Sequence, residues 1–462
     1  MKDAAKGKRE GAAATSLPSR PIERWLAPLH RFLHVQAAGG IALLLATIVA
    51  LVLANSDFSH EFSELWEIPV EFGFGDFSLK GTLGHLIIND GLMTLFFFVV
   101  GLEIKRELVA GELRDPRKAL LPVVAAMGGM IVPALIYFGL QWDEPGQRGW
   151  AIPMATDIAF VVGVLSLLGH RVPFGLKIAL LSLAIVDDLG AVLVIAVVFT
   201  ETIVWEWLAV AGGGFLIAVL LNLLGVRAIA LYVFAGIIAW LGFLQAGIHP
   251  TVAGVLLGLL TPARAWIGDR TLSEVLEKTW KSLDVADPEE RDRRADLKRV
   301  EFALRESESP LHRLETGLHP WMSFFIMPLF ALANAGVAFD PSELSHPVSM
   351  AVAAGLVLGK PLGILLFTVA AVKAGVTRLP TGVDWKVMTG GACMAGIGFT
   401  MSLFLNGLSF PGPRYAEMAA AGKIGTLMGS LVSAVLGTTL LLIFLREKSA
   451  PAPAPAASGK GK

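Results

Sequence analysis

The stretch Ala184-Ile185-Val186-Asp187-Asp188-Leu189-Gly190 sets two adjacent carboxylates inside an apolar run extending from Phe174 to Thr200. An ionised side chain at bilayer depth costs roughly 3 kcal/mol on insertion scales, so an acid inside a membrane span marks a functional site by default. At about 1.5 Å of rise per residue the pair lies roughly 20 Å from either end of the run, near the middle of a spanning helix. Whether this is a membrane span is decided by the rest of the chain.

Composition agrees with a membrane protein. Of the 462 residues, 54% are hydrophobic and only 17% charged, with positive mean hydropathy, outside the range of soluble domains and inside that of polytopic proteins. The net charge of -1 gives no footprint for nucleic acid. Cys393 is the only cysteine, which excludes an intramolecular disulfide and a cysteine-based metal site. No apolar run follows the basic N-terminus before about Gly39, so a cleaved signal peptide is not expected.

Apolar runs of membrane length predict an all-α polytopic fold of about twelve transmembrane helices, starting near residues 36, 86, 119, 150, 174, 206, 227, 248, 320, 349, 386 and 419, of which the eighth and tenth read as short. Basic residues such as Lys105, Arg106, Arg117, Lys118, Arg171 and Lys373 cluster in one set of connections, and acids such as Glu61, Glu64, Asp143 and Glu343 in the other. The asymmetry predicts both termini in the cytoplasm. The expected domains are a cytoplasmic N-terminal tail (1–35), a membrane domain (36–446) and a disordered Ala-Pro-rich C-terminal tail (447–462). Within the membrane domain, the alternation and central glycines of Val70 to Leu79 predict an external β-hairpin (about 68–82) whose apolar face needs cover, making a homodimer through it plausible. A cytoplasmic insertion (about 263–318) carries helix-start signals at Thr271 with Glu274 and at Asp287-Pro288 with Glu290, and reads as two solvated surface helices.

Two spans are punctuated. The fourth contains Ala155-Thr156-Asp157-Ile158, with Pro153 just ahead, and the eleventh contains Gly396-Ile397-Gly398-Phe399-Thr400-Met401-Ser402. They occupy corresponding places in spans 3–5 and 10–12, which run in opposite orientations, and paired interrupted spans are the strongest sequence pointer to a transporter site. Half-helix ends at such breaks carry partial charge, positive at N-termini and negative at C-termini, and Asp157 and Lys360 have the signs to offset it. Lys360, in Gly359-Lys360-Pro361-Leu362-Gly363, needs a carboxylate partner at that depth. Neighbours on a helix point about 100° apart, so Asp187 and Asp188 have different jobs: one pairs with a cation while the other lines a funnel. They titrate as a coupled pair, able to hold protons or a small hard cation on oxygen ligands. Asp90 and Glu103 are further ionisable groups of the second span, the latter near its cytoplasmic end.

At these residues the chain resembles the bacterial NhaA-type sodium/proton antiporter family, from about Gln36 to Arg446. Gly101-Leu102-Glu103-Ile104-Lys105-Arg106-Glu107-Leu108 and the segments around Asp157, Asp187-Asp188, Lys360 and Thr400 carry the resemblance together. Inverted-topology repeats are a property of that family. The resemblance implies that Asp188 faces the cytoplasmic funnel and binds Na+ or Li+ in competition with protons. It makes Asp187 the partner carboxylate, able to pair with Lys360, with Asp157 and Thr156 in support. It further implies exchange of two protons inward for one sodium outward, shutdown at acidic pH, and residence in the bacterial inner membrane, with no cofactor beyond the transported ions. Glu103, Lys105, Glu107, His249, Arg313, Glu315 and His319 resemble its pH-responsive region. The insertion between Ala263 and Ser309 and the extended tails depart from the common pattern.

Three other functions fit the sequence less well. An intramembrane aspartyl protease also uses paired aspartates, but its acids sit on separate facing helices, and the Gly73-Phe74-Gly75-Asp76 match falls in an external connection. A sodium-coupled symporter of a small organic anion needs further polar groups at the breaks, and these are scarce. A channel fits less well, since buried charge pairing favours alternating access.

Overall fold

The computed structural model describes residues 36–74, 77–200, 202–226, 228–283, 293–339 and 341–449. The expected N-terminal tail, the C-terminal tail from 450 onward, the hairpin tip and the helix start at Asp287-Pro288 lie outside them. Residues 447–449, expected in the disordered tail, continue the last helix, Ala416–Ser449.

The molecule is a multi-pass membrane protein. Among the described residues eight helices are long and apolar enough to cross a bilayer, and three bent helix pairs bring the number to as many as eleven. The apolar helix Thr251–Leu260 has ten residues. Each of the twelve expected spans falls on one of these elements, and they are numbered here in chain order. Span 8 is short, as the sequence indicates. Span 10 is not: it runs unbroken over Pro347–Lys373. Lys360 and Pro361 interrupt its apolar pattern but not its winding. A wide turn over Gly355–Gly359 lets the Lys360 N–H donate to Gly355 O, five residues back. A loosened turn at this point suits Pro361, which has no N–H for the regular ladder.

Spans 4 and 11 are broken where the sequence is punctuated. Pro145–Met154 meets Ile158–Leu167 at 46°, and Trp385–Met394 meets Phe399–Ser409 at 47°. Span 3 (Pro116–Leu140) packs on span 5 (Phe174–Val198), span 10 packs on span 12, and spans 3 and 10 pack on each other. The last contact is close because it is made by glycines. A Cβ at Gly359 would sit 2.6 Å from Cα of Pro133, and one at Gly363 would run into the Gly128 carbonyl. Backbone approach through small residues is the usual route to tight helix association in a bilayer.

The first external connection contains more than the expected hairpin. The helix Ser59–Glu67 turns 115° away from span 1, because Ser-His-Glu-Phe-Ser-Glu-Leu-Trp-Glu is too acidic to continue the span. β1 (Pro69–Phe74) and β2 (Phe77–Thr82) then pair antiparallel, with Phe72 opposite Leu79 and Glu71 opposite Lys80. Lys80 and Glu71 form an ion pair at 2.9 Å, while Phe72 is left 55% exposed. Between spans 8 and 9 the helices Asp269–Leu283 and Arg293–Ser307 pack on one another as a helical hairpin.

Candidate ion-transport site

The breaks of spans 4 and 11 cross each other, and polar groups join them. Asp157 N–H donates to Ile397 O at 2.7 Å, Thr156 Oγ1 approaches Ala395 O at 3.0 Å, and Ser402 Oγ donates to Ile152 O at 2.8 Å. Unwinding frees backbone groups that lipid cannot satisfy. Here each break supplies the other's partners.

Asp157 serves both half-helices that start at the crossing. Its Oδ1 accepts from Phe160 N–H at 3.0 Å, capping Ile158–Leu167. Its Oδ2 accepts from Thr400 N–H at 3.1 Å and from the Thr400 hydroxyl, in the first turn of Phe399–Ser409. One carboxylate thus offsets two positive helix ends. Span 12 adds a second cap, the Phe399 N–H donating to Ser430 Oγ at 3.0 Å.

Span 5 brings the aspartate pair to this crossing. Lys360 Nζ donates to Asp187 Oδ2 and to Thr156 Oγ1. Thr156 Oγ1 in turn stands 2.7 Å from Asp187 Oδ2, so the hydroxyl accepts from the lysine and donates to Asp187 or to the Ala395 carbonyl. The resemblance made Lys360 able to pair with Asp187, and the structure has that pair; the negative helix end, to which the sign of Lys360 was also suited, is met by Thr156 at Ala395 O. Asp157, Asp187, Asp188 and Lys360 are each no more than 2% exposed, at a depth where unpaired charge is most expensive.

Asp188 is the exception to this pairing. Its Oδ1 and the Oδ1 of Asp187 are buried without a hydrogen-bond partner among the described residues. Asp188 lies in the field of Asp187, Glu103 and Asp157, with Lys360 opposing them. The arrangement is short of positive charge at Asp188. A small hard cation or a proton is what such oxygens accept. No group of three or more His, Cys, Asp and Glu among the described residues is disposed to hold a resident metal ion.

The candidates for pH response do not form one group. Lys105 Nζ donates to Leu259 O at 2.7 Å, and Arg106 joins Glu315 at 2.6 Å and Glu107 at 3.6 Å. Glu103 lies within the field of Arg106, Glu315 and Glu107 and also within that of Asp188, so it links this cluster to the aspartates rather than belonging only to the interface. Arg313 faces Glu306 of the insertion at 3.9 Å, and His319 is exposed. His249 stands apart. Its Nε2 is 3.7 Å from Asp90 Oδ1, and its Nδ1 is 2.7 Å from Thr251 Oγ1. Asp90 Oδ2 meets His85 Nδ1 at 3.0 Å.

Sequence reasoning missed Thr400, Ser430 and His85 as site-related residues. Thr400 lies inside a quoted motif, and its hydroxyl beside two glycines was the available signal. Ser430 is an ordinary hydroxyl in a long span, with no local signal.

A family model described as Na+/H+ antiporter 1 matches residues 30–441. The Na(+)/H(+) antiporter NhaA of Rhodopirellula baltica is 48% identical over 427 residues, covering 92% of this chain and 96% of that one. Na(+)/H(+) antiporter NhaA 1 of Acidiphilium cryptum is 50% identical over 430 residues, covering 93% and 94%. The sodium proton antiporter MjNhaP1 from Methanocaldococcus jannaschii resembles the fold loosely, at TM-score 0.41 and 17% identity over 88% of this chain and 97% of that one. With crossed broken spans around a buried aspartate pair, and a family match over nearly the whole membrane domain, the chain belongs to the Na+/H+ antiporter 1 family.

Proposed function

We propose that this chain is a secondary transporter that exports Na+ or Li+ from the bacterial cytoplasm in exchange for protons, through the site at Asp187 and Asp188. The observation that carries the reading is the inequality of the two acids. Both keep a buried Oδ1 without a partner, but Asp187 is held at Oδ2 by Lys360 and Thr156, while Asp188 has no cationic or hydroxyl partner among the described residues. In one state Asp188 takes a cation from the cytoplasmic side; in the other it takes a proton from outside. Asp187 with Lys360 supplies a second exchangeable proton, so two protons enter for each sodium and net charge moves. Alternation follows from spans 3–5 and 10–12, joined at the crossing, rocking together against the remaining spans. No cofactor enters this cycle.

The same reading places the protein in the cytoplasmic membrane with both termini inside. It makes the exposed Phe72 face of the hairpin a contact between two copies. It assigns Glu103, Lys105, Glu107, His249, Arg313, Glu315 and His319 to the pH response, with Glu103 nearest the transport site.

The test is dye-monitored ΔpH in everted membrane vesicles on addition of Na+, Li+ or K+, comparing the wild-type chain with Asp188→Asn. Sodium- and lithium-dependent proton movement is expected in the first and none in the second. Equal movement in both overturns the site. Imposing a membrane potential on proteoliposomes tests charge movement separately, and an exchange rate indifferent to it leaves one proton per cation.

A further inference from the structure

The helical hairpin between spans 8 and 9 has a surface unlike that of a solvated pair of helices. In Asp269–Leu283, Leu272, Val275 and Thr279 turn toward the partner helix, while Leu276 and Trp280 remain outside, the tryptophan 72% exposed. In Arg293–Ser307, Leu297, Phe302 and Leu304 are each at least half exposed. Trp266, in the approach to the first helix, is 68% exposed. Isolated exposed apolar residues are unremarkable, but six large ones on a unit this small form a surface that something covers.

Position and charge indicate what covers it. The hairpin is tied close to the bilayer. Trp266 N–H and Ile267 N–H both donate to Glu306 O at 3.0 Å, and the Glu306 carboxylate faces Arg313 at the start of span 9. The Trp266 ring tip lies 4.0 Å from where a Cβ of Gly225 would sit. Gly225 belongs to the turn between spans 6 and 7, where Leu223 and Leu224 are exposed as part of the lipid-facing belt. Trp266 therefore brings the approach to the hairpin beside the exposed end of span 6. Counting 100° per residue, Arg294, Lys298 and Arg305 fall between Leu297 and Phe302 on the exposed arc of the second helix, together with one acid, Glu301, so the arc carries a net positive charge. On the first helix Arg270 and Lys281 are held by Glu274 and Glu277. Tryptophans at the edge of an apolar belt, and long basic side chains beside apolar ones, are the composition of a surface lying among headgroups.

We infer that the helices Asp269–Leu283 and Arg293–Ser307 lie on the bilayer and bind anionic phospholipid headgroups, with Leu276, Trp280, Leu297 and Phe302 in the interface and Arg294, Lys298 and Arg305 on the lipid phosphates. Only the choice of leaflet rests on the function proposed above. The basic contacts contribute on the order of 1 kcal/mol each near an anionic surface and weaken with salt. The contact turns a connection that sequence reads as solvated into a lipid-responsive arm joined through Glu306 and Arg313 to span 9.

The test uses the full chain in nanodiscs, with Cys393→Ala removing the native thiol and a bimane fluorophore on Trp280→Cys, on Phe302→Cys or, as control, on Thr271→Cys. Thr271 lies nine residues before Trp280, on the opposite side of the same helix. Lipids bearing a shallow nitroxide are used, with phosphatidylglycerol present or replaced by phosphatidylcholine. The expected result is loss of emission at Trp280→Cys and Phe302→Cys but not at Thr271→Cys, larger with phosphatidylglycerol and reduced by high salt. Absence of quenching at the two test positions overturns the inference, as does quenching indifferent to lipid charge. Energy transfer between labelled copies without lipid quenching also overturns it and assigns the face to a second copy. Antiport is not read out, so these results stand apart from the vesicle assay.

Discussion

Replacing Lys360 by methionine tests the centre of the site directly. Methionine keeps the length of the stem and removes the ammonium from a position with 0% exposure. Asp187, itself buried, then loses the cation at its Oδ2 and keeps only Thr156. Removing one partner of a buried pair costs about 3–5 kcal/mol, because an uncompensated charge stays behind. At roughly 2 °C per kcal/mol for a large chain this is a fall on the order of 5–10 °C in the unfolding midpoint. In Lys360→Met/Asp187→Asn no charge is stranded, and only the smaller cost of a partly satisfied buried amide remains. The double variant is therefore expected to recover most of the loss. The assay is a double-mutant cycle of midpoints in detergent, read by fluorescence size-exclusion after heating. A double variant no more stable than Lys360→Met would refute the pairing, and a single variant as stable as wild type would refute the energetic argument. On antiport, Lys360→Met leaves Asp187 to be neutralised by a proton or by the transported cation, so the proton-to-sodium ratio in proteoliposomes is expected to fall.

Other consequences are equally specific. Thr400→Val removes the hydroxyl that donates to Asp157 while keeping the shape. A loss of about 1–3 kcal/mol is expected with reduced antiport, and Thr400→Ser should restore both; equal behaviour of the two variants would remove Thr400 from the site. Gly359→Val places a Cβ 2.6 Å from Pro133 Cα and should cost at least the 1–3 kcal/mol typical of overpacking, seen as loss of monodisperse protein, whereas Gly139→Ala, with nothing within 4 Å, should behave as wild type. Phe72→Arg on the hairpin should lower the dimer fraction measured by mass photometry in detergent; an unchanged fraction would place the dimer contact elsewhere.

The spans were legible because each is an unusually long apolar run, and the breaks because Pro153 and the Gly396-Ile397-Gly398 triplet are the residues that interrupt a membrane helix. Asp157, Asp187, Asp188 and Lys360 stood out for a related reason: charge in an apolar run is too costly to be incidental. Pairing was less accessible. Helix geometry required the two aspartates to diverge without saying which pairs with Lys360; the resemblance named Asp187, and the packing of span 10 against the crossing makes that contact. Glu103 was placed by its distance from the end of span 2, and the structure moves it into the field of Asp188. Span 10 read as short, whereas it runs on unbroken through Lys360-Pro361, the polar pair that interrupts its apolar pattern. The helix Ser59–Glu67 went unread because it is short and polar. Ser430 could not have been found locally, since its partner is 31 residues away.

The hydrogen bonds between the two breaks bear on where this protein can yield. Five polar links join spans 4 and 11: from Asp157 to Ile397, Thr156 to Ala395, Ser402 to Ile152, and Thr400 twice to Asp157. At about 0.5–1.5 kcal/mol each, and more where a carboxylate accepts, parting the two breaks would cost several kcal/mol in every cycle. Sliding along an apolar seam forfeits far less, because dispersion contacts re-form at each step. The crossing is thus a rivet that holds spans 4 and 11 to the same displacement, and the slip plane of the transporter has to run through the apolar contacts around it.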